Sequence, residues 1–372
     1  MILVLLLLCV GFAIVVSQSL IRRFGFKNLT YELAFSEQEA FEGDTVTLTE
    51  TICSRKLLPL PWVKAELTTH SSLLFATKQS AVSEETRFVS SFFCVMPYRK
   101  ITRHWKVTCT RRGMFTVDHA VIVINDLFGA QELSRRLPEA HAELTVLPGR
   151  RHSEIPEAFP RQIMGDIIRR RMLIPDRMCF SGIRPYTDGD PVRDSCWSAS
   201  ARTEQPMVRQ FQETASPTVT VVLSMESRET DRETVSDTGS FENAVRLCAA
   251  CLNTAAGMRI PVRLCANTAV NDAPAETPFR SGTDALYPML RLLAAISYGI
   301  SGRTTDLLKE IRQKDSSSAI ILITVHPAAD ILLAADRDPA MTVISLRPLS
   351  DHEHRPNVRH IALIQEERNP ES

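Results

Sequence analysis

Residues 319–325 read Ala-Ile-Ile-Leu-Ile-Thr-Val, an apolar run rich in β-branched side chains. Such a run is typical of a strand that is buried on both faces of a parallel sheet. A second run, Thr-Val-Thr-Val-Val-Leu, occupies residues 218–223 directly after Pro217. Helical patterns follow both runs, and a regular alternation of strands and helices favours a doubly wound α/β domain. We place this domain at residues 217–364.

The clearest helical pattern of this domain follows the strand at residues 218–223. Apolar side chains recur there at helical spacing and share one face; they are Phe241, Val245, Cys248, Leu252 and Ala255. The same reasoning predicts further strands at Ile260–Cys265, Met341–Leu346 and Ile361–Ile364, and further helices at Tyr287–Ile296, Thr305–Arg312 and Ala328–Ala335. The polar residues 365–372 are expected to form a flexible tail.

Residues 29–147 show a different pattern, that of short strands separated by turns. The segment Thr45–Ile52 alternates with a period of two, which places Val46, Leu48 and Ile52 on one face with Glu50 as an exception among them. Further strands are predicted at Trp62–Thr69, Arg87–Val95 and Ile101–Thr110. Several short strands without an intervening helix favour an antiparallel β-sandwich.

The N-terminus predicts a membrane anchor. Residues 1–16 carry no charged side chain, and Arg22, Arg23 and Lys27 follow the apolar run. About twenty helical residues span a hydrocarbon core of roughly 30 Å, so we predict a transmembrane helix at residues 1–21. A cleavable signal peptide is the alternative, although it would carry positive charge before the run and a small-x-small site after it.

Charge and cysteine usage predict the orientation of this anchor. The basic residues after the run place the C-terminal domains in the cytosol by the positive-inside tendency, as in a single-pass protein of the bacterial inner membrane. The nine cysteines are an odd count and form no paired framework, which agrees with a reducing compartment. Cys248 and Cys251 lie in the predicted helix without a second pair, so we expect them to pack into the core.

Residues 148–216 are rich in Arg, Pro and Asp and lack clean periodicity, which is typical of loop or extended structure. We interpret them as a connecting module. Its densest cluster of unusual residues reads Gly-Ile-Arg-Pro-Tyr-Thr-Asp-Gly-Asp-Pro-Val-Arg-Asp-Ser-Cys-Trp-Ser-Ala-Ser-Ala-Arg at residues 182–202. The candidate interface or structural residues are Gly182, Arg184, Tyr186, Asp188, Gly189, Asp190, Arg193, Trp197, Ala201, Arg202 and Arg209.

Turn chemistry dominates this motif, since Asp188-Gly189-Asp190-Pro191 suits a tight turn. We expect Arg184 or Arg193 to bind the carboxylates bidentately, with a guanidinium on Trp197, in a network that joins the connecting module to the α/β domain. The alternative makes Asp188 and Asp190 an acid–base pair for hydrolysis. Two carboxyl groups in one tight turn rarely face a single substrate, and no histidine accompanies them.

The motif closely resembles the signature of the bacterial family catalogued as domain of unknown function fifty-eight. That signature runs glycine, x, arginine, x, tyrosine, then Gly-Asp, an arginine, a tryptophan and Ala-Arg. The resemblance implies an apolar N-terminus, a β-domain, the signature and an α/β domain similar to von Willebrand factor type A modules. It also implies partners, since genes of this family commonly sit beside MoxR-type AAA+ ATPases and other proteins with type A modules.

Type A modules often bind Mg²⁺ through oxygen ligands at the end of the first strand. At the matching place Ser224 replaces the first aspartate of their D-x-S-x-S loop, so Ser224, Glu226, Ser227 and Thr283 are only weak metal candidates, and we expect no metal. Among the histidines, His326 lies at the end of a predicted strand and is the one whose position suits a site. A loop histidine without a partner is the alternative.

We therefore expect a non-enzymatic, membrane-anchored adaptor or assembly factor without a cofactor, which docks a cytosolic partner such as a MoxR-type AAA+ ATPase. Two alternatives remain open: a metal-assisted or carboxylate-based hydrolase, and a structural membrane protein that self-associates. The formal net charge of +0 gives no argument for nucleic acid as a partner, and we expect none.

Overall fold

A computed structural model describes residues 2–76, 80–83, 85–117, 119–125, 132–137, 140–149, 155–156, 158–172, 180–211, 218–228, 230–350 and 355–361. The helices in this part are α1 Ile2–Phe24, α2 Ala158–Met172, α3 Trp197–Thr203, α4 Thr238–Gly257, α5 Leu286–Ala295, α6 Thr304–Lys314 and α7 Ala329–Arg337. The chain divides into two compact units, Met1–Arg150 with Leu293–Ala295, and Arg151–Leu292 with Ile296–Ser372.

The described residues of the first unit form twelve strands. They are β1 Leu29–Phe35, β2 Glu39–Phe41, β3 Thr45–Ser54, β4 Leu60–His70, β5 Leu73–Phe75, β6 Ser80–Ser83, β7 Thr86–Val95, β8 Lys100–Cys109, β9 Gly113–Val117, β10 His119–Asn125, β11 Glu132–Leu137 and β12 Ala142–Leu147. Their sheets have the orders β1-β3-β8-β5, β11-β10-β4-β7-β6 and β2-β12-β9. The strands predicted at Thr45–Ile52, Trp62–Thr69, Arg87–Val95 and Ile101–Thr110 are confirmed as β3, β4, β7 and β8.

One hydrophobic core joins the three sheets of this unit. Leu48 from β3, Leu67 from β4 and Leu144 from β12 are all buried in it. The alternating burial along β3 shows why, because every second side chain of that strand faces inward. Glu50 is on the inward face and is 0% exposed, as its position in the sequence pattern indicated.

The predicted transmembrane anchor is wrong. Helix α1 covers most of residues 1–21, but within the described part of the chain no helix is both long and apolar enough to cross a membrane. The C-terminal end of α1 instead packs against the β-strands of the first unit, which we call the β-domain. Ile21 is buried in the core of that domain, and the Nζ of Lys56 donates hydrogen bonds to the carbonyl oxygens of Phe24 and Gly25.

The second unit contains a six-stranded sheet and a separate hairpin. The hairpin strands are β13 Phe180–Pro185 and β14 Met207–Phe211, and the sheet strands are β15 Val219–Leu223, β16 Val262–Val270, β17 Ala273–Glu276, β18 Ala319–Thr324, β19 Met341–Ser345 and β20 Val358–His360. The sheet order is β17-β16-β15-β18-β19-β20. Neighbouring strands are parallel except β17, which runs antiparallel to β16.

The central strands of this sheet are β15 and β18, the two apolar runs of the sequence. Every residue of both strands is buried, as expected for strands covered on both faces. Helix α4 buries Phe241 completely, and its Cys248 and Cys251 are 0% exposed, so the prediction that this C-x-x-C packs into the core is confirmed. Burial raises the pKa of Cys251 to about 12, which keeps the thiol protonated.

Residues 148–216 are more regular than the sequence suggested. They contain helix α2, which buries Ile163, Met164 and Ile167 on one face, and Asp166 on the same helix accepts a 2.5 Å hydrogen bond from Arg359. The prolines and consecutive arginines of this segment made the helical spacing of these three apolar residues hard to recognise in the sequence. The tail predicted at 365–372 lies outside the described residues.

The fold class expected from the sequence is therefore corrected. The described part of the chain is mainly β-strands arranged in five sheets, with seven helices, rather than a transmembrane helix followed by a sandwich and a type A-like domain. An apolar run in a sequence does not distinguish a lipid-spanning helix from one whose end packs on protein.

Candidate functional site

The sequence motif folds into a β-hairpin with a short helix in its connection. Strands β13 and β14 pair antiparallel, with a bulge between Phe180 and Gly182. The connection contains a tight turn at Thr187–Asp190, a 3-10 helix at Val192–Asp194 and helix α3. Gly189 has a φ of +113°, a conformation that favours glycine.

A bidentate ion pair fixes the turn of this hairpin. Arg184 donates from Nη1 to Oδ2 of Asp190 and from Nη2 to Oδ1, both at 2.7 Å. The same carboxylate accepts hydrogen bonds from the backbone nitrogen and the hydroxyl of Thr187, at 2.9 and 2.8 Å. The predicted arginine–aspartate pair is thus confirmed for Arg184. All four hydrogen bonds join residues of the hairpin turn. They therefore do not connect the hairpin to the six-stranded sheet, as the predicted network would.

The bonds to Asp190 have a direct electrostatic consequence. The hydrogen bonds from Arg184, followed by those from Thr187, hold the pKa of Asp190 well below its usual range, and the pKa of Arg184 is raised. A general acid needs the opposite shift. Asp188 is exposed on the same turn, so the two carboxylates do not share an enclosed cleft.

Asp190→Asn should destabilise the hairpin in a pH-dependent way. A carboxylate with a depressed pKa stabilises the fold above its unfolded pKa of about 3.9 and loses that contribution as the pH falls toward the folded pKa. We expect the difference between wild type and variant to be constant from pH 8 to 5 and to shrink below pH 4. Backbone hydrogen exchange of residues 182–211 measures this difference in stability. A difference that grows as the pH falls would contradict the ion pair.

The remaining motif residues lie mostly on the surface of the hairpin. Trp197 is 74% exposed, Val192 is 68% exposed, and both line an open groove with Tyr186, Pro206 and Met207. The volume of this groove is about 520 Å³. Among the described residues no guanidinium lies over Trp197, so the predicted stacking is wrong. Five further motif residues are exposed but do not line the groove; they are Asp188, Arg193, Ala201, Arg202 and Arg209.

Cys196 lies directly before Trp197 and is buried. Hydrogen bonds from Ser198 and Ala199, with a smaller contribution from Arg209, lower the pKa of its thiol. The pattern of the sequence does not reveal this basic neighbour, because Arg209 lies on strand β14 and reaches Cys196 only in the folded hairpin.

The weak metal candidates lie where β15 ends. The Oγ of Ser224 is 2.8 Å from the Oγ1 of Thr304, which in turn donates to Glu226 at 3.0 Å. Ser227 donates from its hydroxyl to Asp231 at 2.6 Å. Within the described part of the chain, no three His, Cys, Asp or Glu side chains converge to hold a metal ion.

Thr283, the fourth metal candidate, is not part of this cluster. It lies exposed in the 3-10 turn Thr283–Ala285, and the threonine that meets Ser224 is Thr304. Sequence reasoning missed Thr304, Asp231 and Asn267, whose Oδ1 accepts from the backbone nitrogen of Met225 at 2.7 Å. All three are polar residues beside predicted elements, a signal too common to single them out.

Comparison with solved structures gives only remote likenesses. A non-cellulosomal cohesin from Archaeoglobus fulgidus is 12% identical, with 32% of this chain and 91% of that chain covered and a TM-score of 0.23. A CARDB domain from Pyrococcus furiosus is 9% identical, with coverages of 33% and 97% and a TM-score of 0.23. A cohesin module of a Clostridium perfringens family 33 glycoside hydrolase is also 9% identical, with coverages of 32% and 96% and a TM-score of 0.23. These scores support no inference.

None of the curated proteins matches this chain. One family model does: the model described as "Protein of unknown function DUF58" matches residues 182–325. The match begins at Gly182, the first residue of the motif, and ends at Val325, directly after β18, so it covers the hairpin and the centre of the six-stranded sheet. Neither the association with MoxR-type ATPases nor the likeness to type A modules is part of this match. Residues 182–325 of the chain are therefore similar to this family of proteins of unknown function.

Proposed function

We propose that this chain is a non-enzymatic adaptor that binds a partner protein through the hairpin groove, defined by Tyr186, Val192, Trp197, Pro206 and Met207. The observation that carries the proposal is the exposure of Trp197, which is 74% accessible on a rigid support. Leaving a large aromatic side chain in water forgoes the free energy of burying it, and tryptophan is enriched at the centres of binding interfaces.

The backbone that carries Trp197 is held in place before any partner binds. The ion pair between Arg184 and Asp190 fixes the turn, and the hydroxyl of Ser200 in α3 accepts a 2.8 Å hydrogen bond from the backbone nitrogen of Met207 in β14. Helix and hairpin therefore hold the groove in one shape. A groove that is already ordered loses little conformational entropy when a partner binds.

Charge around the groove indicates the chemistry of the partner. Arg193, Arg202 and Arg209 are exposed in the same hairpin and its connection, and Glu204 is among the residues that line the groove. A segment with an apolar anchor and flanking acidic side chains complements this arrangement. The family resemblance implies a MoxR-type AAA+ ATPase as the protein that carries such a segment.

Trp197→Ala tests the proposal, with Trp62→Ala as its matched control. Trp62 is 61% exposed on β4 in the other unit, so both variants lose an exposed tryptophan. We expect Trp197→Ala to weaken binding of the purified MoxR-type ATPase at least about thirtyfold, and Trp62→Ala to leave it unchanged. Biolayer interferometry with the immobilised chain measures both.

Three outcomes would contradict the proposal. Absence of binding by the wild-type chain excludes this partner, and equal binding by Trp197→Ala excludes the groove. A wild-type chain that forms a stable dimer lost in Trp197→Ala, seen by light scattering, would assign the groove to self-association instead.

A further inference from the structure

A second cavity lies in the same unit, at the carboxyl ends of β15 and β18. Its volume is about 250 Å³. The charged and titratable side chains that line it are Glu226, Arg228, Arg232, Arg303, His326 and Asp330. The hairpin groove shares none of these residues, so the cavity is independent of the proposed function.

The topology of the sheet produces this cavity. Strand β15 pairs with β16 on one side and with β18 on the other. After β15 the chain continues to β16, and after β18 it continues to β19, which lies on the opposite side of the sheet. Because these two connections diverge, a crevice opens between them at the carboxyl ends of β15 and β18. Glu226 follows β15 in this crevice, and His326 follows β18.

Two helices begin at the same cavity. Helix α6 starts at Thr304 and contributes Thr305 to the lining, and helix α7 starts at Ala329, directly after the lining residue Ala328. The N-terminus of an α-helix carries unpaired backbone N–H groups and a partial positive charge. Both helix ends therefore add to the positive potential of the lining.

The side chains give the lining an excess of positive charge. Three arginines face two carboxylates, and the carboxylates are already engaged. Glu226 accepts the hydrogen bond from Thr304, and Asp330 lies 3.8 Å from the nearest guanidinium nitrogen of Arg303. Arg228 is exposed, and its backbone nitrogen is held by Asp231 at 3.0 Å.

His326 provides a separate indication of a ligand. Its Nδ1 atom is buried and has no hydrogen-bond partner among the described residues. A buried polar atom without a partner costs free energy unless a ligand or water satisfies it. This nitrogen belongs to a side chain that lines the cavity.

We propose that this cavity binds a small phosphate monoester, with the phosphoryl group held by Arg228 and Arg303. Guanidinium groups bind phosphate oxygens bidentately, and a dianion offsets the positive charge of the lining. The polar atoms of Glu226, Thr305 and His326 suit hydroxyl groups on the organic part of the ligand. The volume holds a phosphate with a small sugar.

Calorimetric titration of the full chain with ribose 5-phosphate, inorganic phosphate and ribose tests this proposal. The variants are Arg228→Gln and Arg303→Gln, both exposed positions, and the matched control is Arg161→Gln on the exposed face of α2. We expect ribose 5-phosphate to bind more tightly than phosphate, and ribose not to bind. Each cavity variant should weaken ribose 5-phosphate binding at least about tenfold, because each removes one charge-assisted contact, whereas the control should match the wild type.

The titration can also refute the proposal. Absence of heat and of a thermal shift with both phosphates would overturn it, as would equal affinity in Arg228→Gln, Arg303→Gln and wild type. Equal weakening in Arg161→Gln would show a general effect of charge, which also overturns it. Binding of Mg²⁺ alone that is lost in Glu226→Gln would replace the anion site by a cation site. None of these results bears on binding at Trp197.

Discussion

Glu50→Ala should lower the free energy of unfolding of the β-domain by about 3–5 kcal/mol, because it removes the acceptor of a buried hydrogen-bond network. Glu50 is 0% exposed. Its Oε1 accepts from the hydroxyls of Tyr31 and Ser91, each at 2.6 Å, and its Oε2 accepts from Nε1 of Trp105 at 2.9 Å. Truncation to alanine leaves all three donors without this acceptor and opens a cavity.

Glu50→Gln separates the loss of the acceptor from the loss of volume. Its carbonyl oxygen can still accept from Tyr31 and Ser91, but its amide nitrogen then faces the N–H donor of Trp105. We expect a smaller loss of about 1–3 kcal/mol. Burial, followed by the charge of Glu50, raises the pKa of Tyr31 far above its usual value, so Tyr31 stays a donor throughout the accessible pH range.

Urea denaturation followed by Trp105 fluorescence measures these losses, in a background where the exposed Trp62 and Trp197 are phenylalanine. Glu66→Gln is the control, since Glu66 lies on β4 in an ion pair with Lys64 and its side chain is 43% exposed. An exposed pair contributes little, so this variant should change stability by less than about 1 kcal/mol. A Glu50→Ala variant as stable as Glu66→Gln would contradict the network.

Asp231→Ala should destabilise the loop after β15 by about 3 kcal/mol or more. Asp231 is 3% exposed. Its Oδ2 accepts from the nitrogen and hydroxyl of Ser227, at 3.0 and 2.6 Å, and from the nitrogens of Arg228 and Ser236, at 3.0 and 3.3 Å. The hydroxyl of Ser236 donates to Oδ1. Removing the carboxylate leaves the buried donors of Ser227 and the partly buried donors of Arg228 and Ser236 without this acceptor.

Asp231→Asn keeps one acceptor oxygen and should cost less, about 1–2 kcal/mol. Burial by itself raises the pKa of Asp231, but the hydrogen bonds from Ser227 and Ser236 outweigh it, so the pKa is lowered. The stabilisation is therefore complete above the unfolded pKa of about 3.9 and is lost as the pH falls below it.

Hydrogen exchange of residues 224–240, together with urea denaturation followed by circular dichroism, measures the effect of Asp231→Ala. Asp306→Ala is the control, because Asp306 is exposed and pairs with Lys309 at the surface. Its change should stay below about 1 kcal/mol. Unchanged exchange at residues 224–240 in Asp231→Ala would show that the carboxylate does not hold the loop.

The longer strands of both units could be predicted because their residues repeat with the period of the structure. The alternation at Thr45–Ile52 became β3, and the apolar run at residues 319–325 became β18. Helix α4 followed from the spacing of Phe241, Val245 and Cys248. Strands such as β2 and β5, each three residues long, were missed, since three residues carry too little pattern.

The candidate site was only partly predictable. The motif at residues 182–202 was recognisable because its turn residues and its ion pair are close in sequence: Arg184 and Asp190 are separated by one tight turn. The contact of Ser224 with Thr304 was not, because it joins residues that the fold brings together from eighty positions apart. Thr283, chosen from its place in the sequence, lies elsewhere.

The sequence by itself determined the longer strands and helices with a clear period, since periodicity and turn residues are local properties of the chain. The motif that begins at Gly182 also indicated the family whose model matches residues 182–325. Only the tertiary structure decided that the end of α1 packs on a β-domain, that Trp197 stays exposed, and that three arginines surround one cavity. Each of these depends on which distant residues become neighbours, and burial and charge are set by neighbours in space.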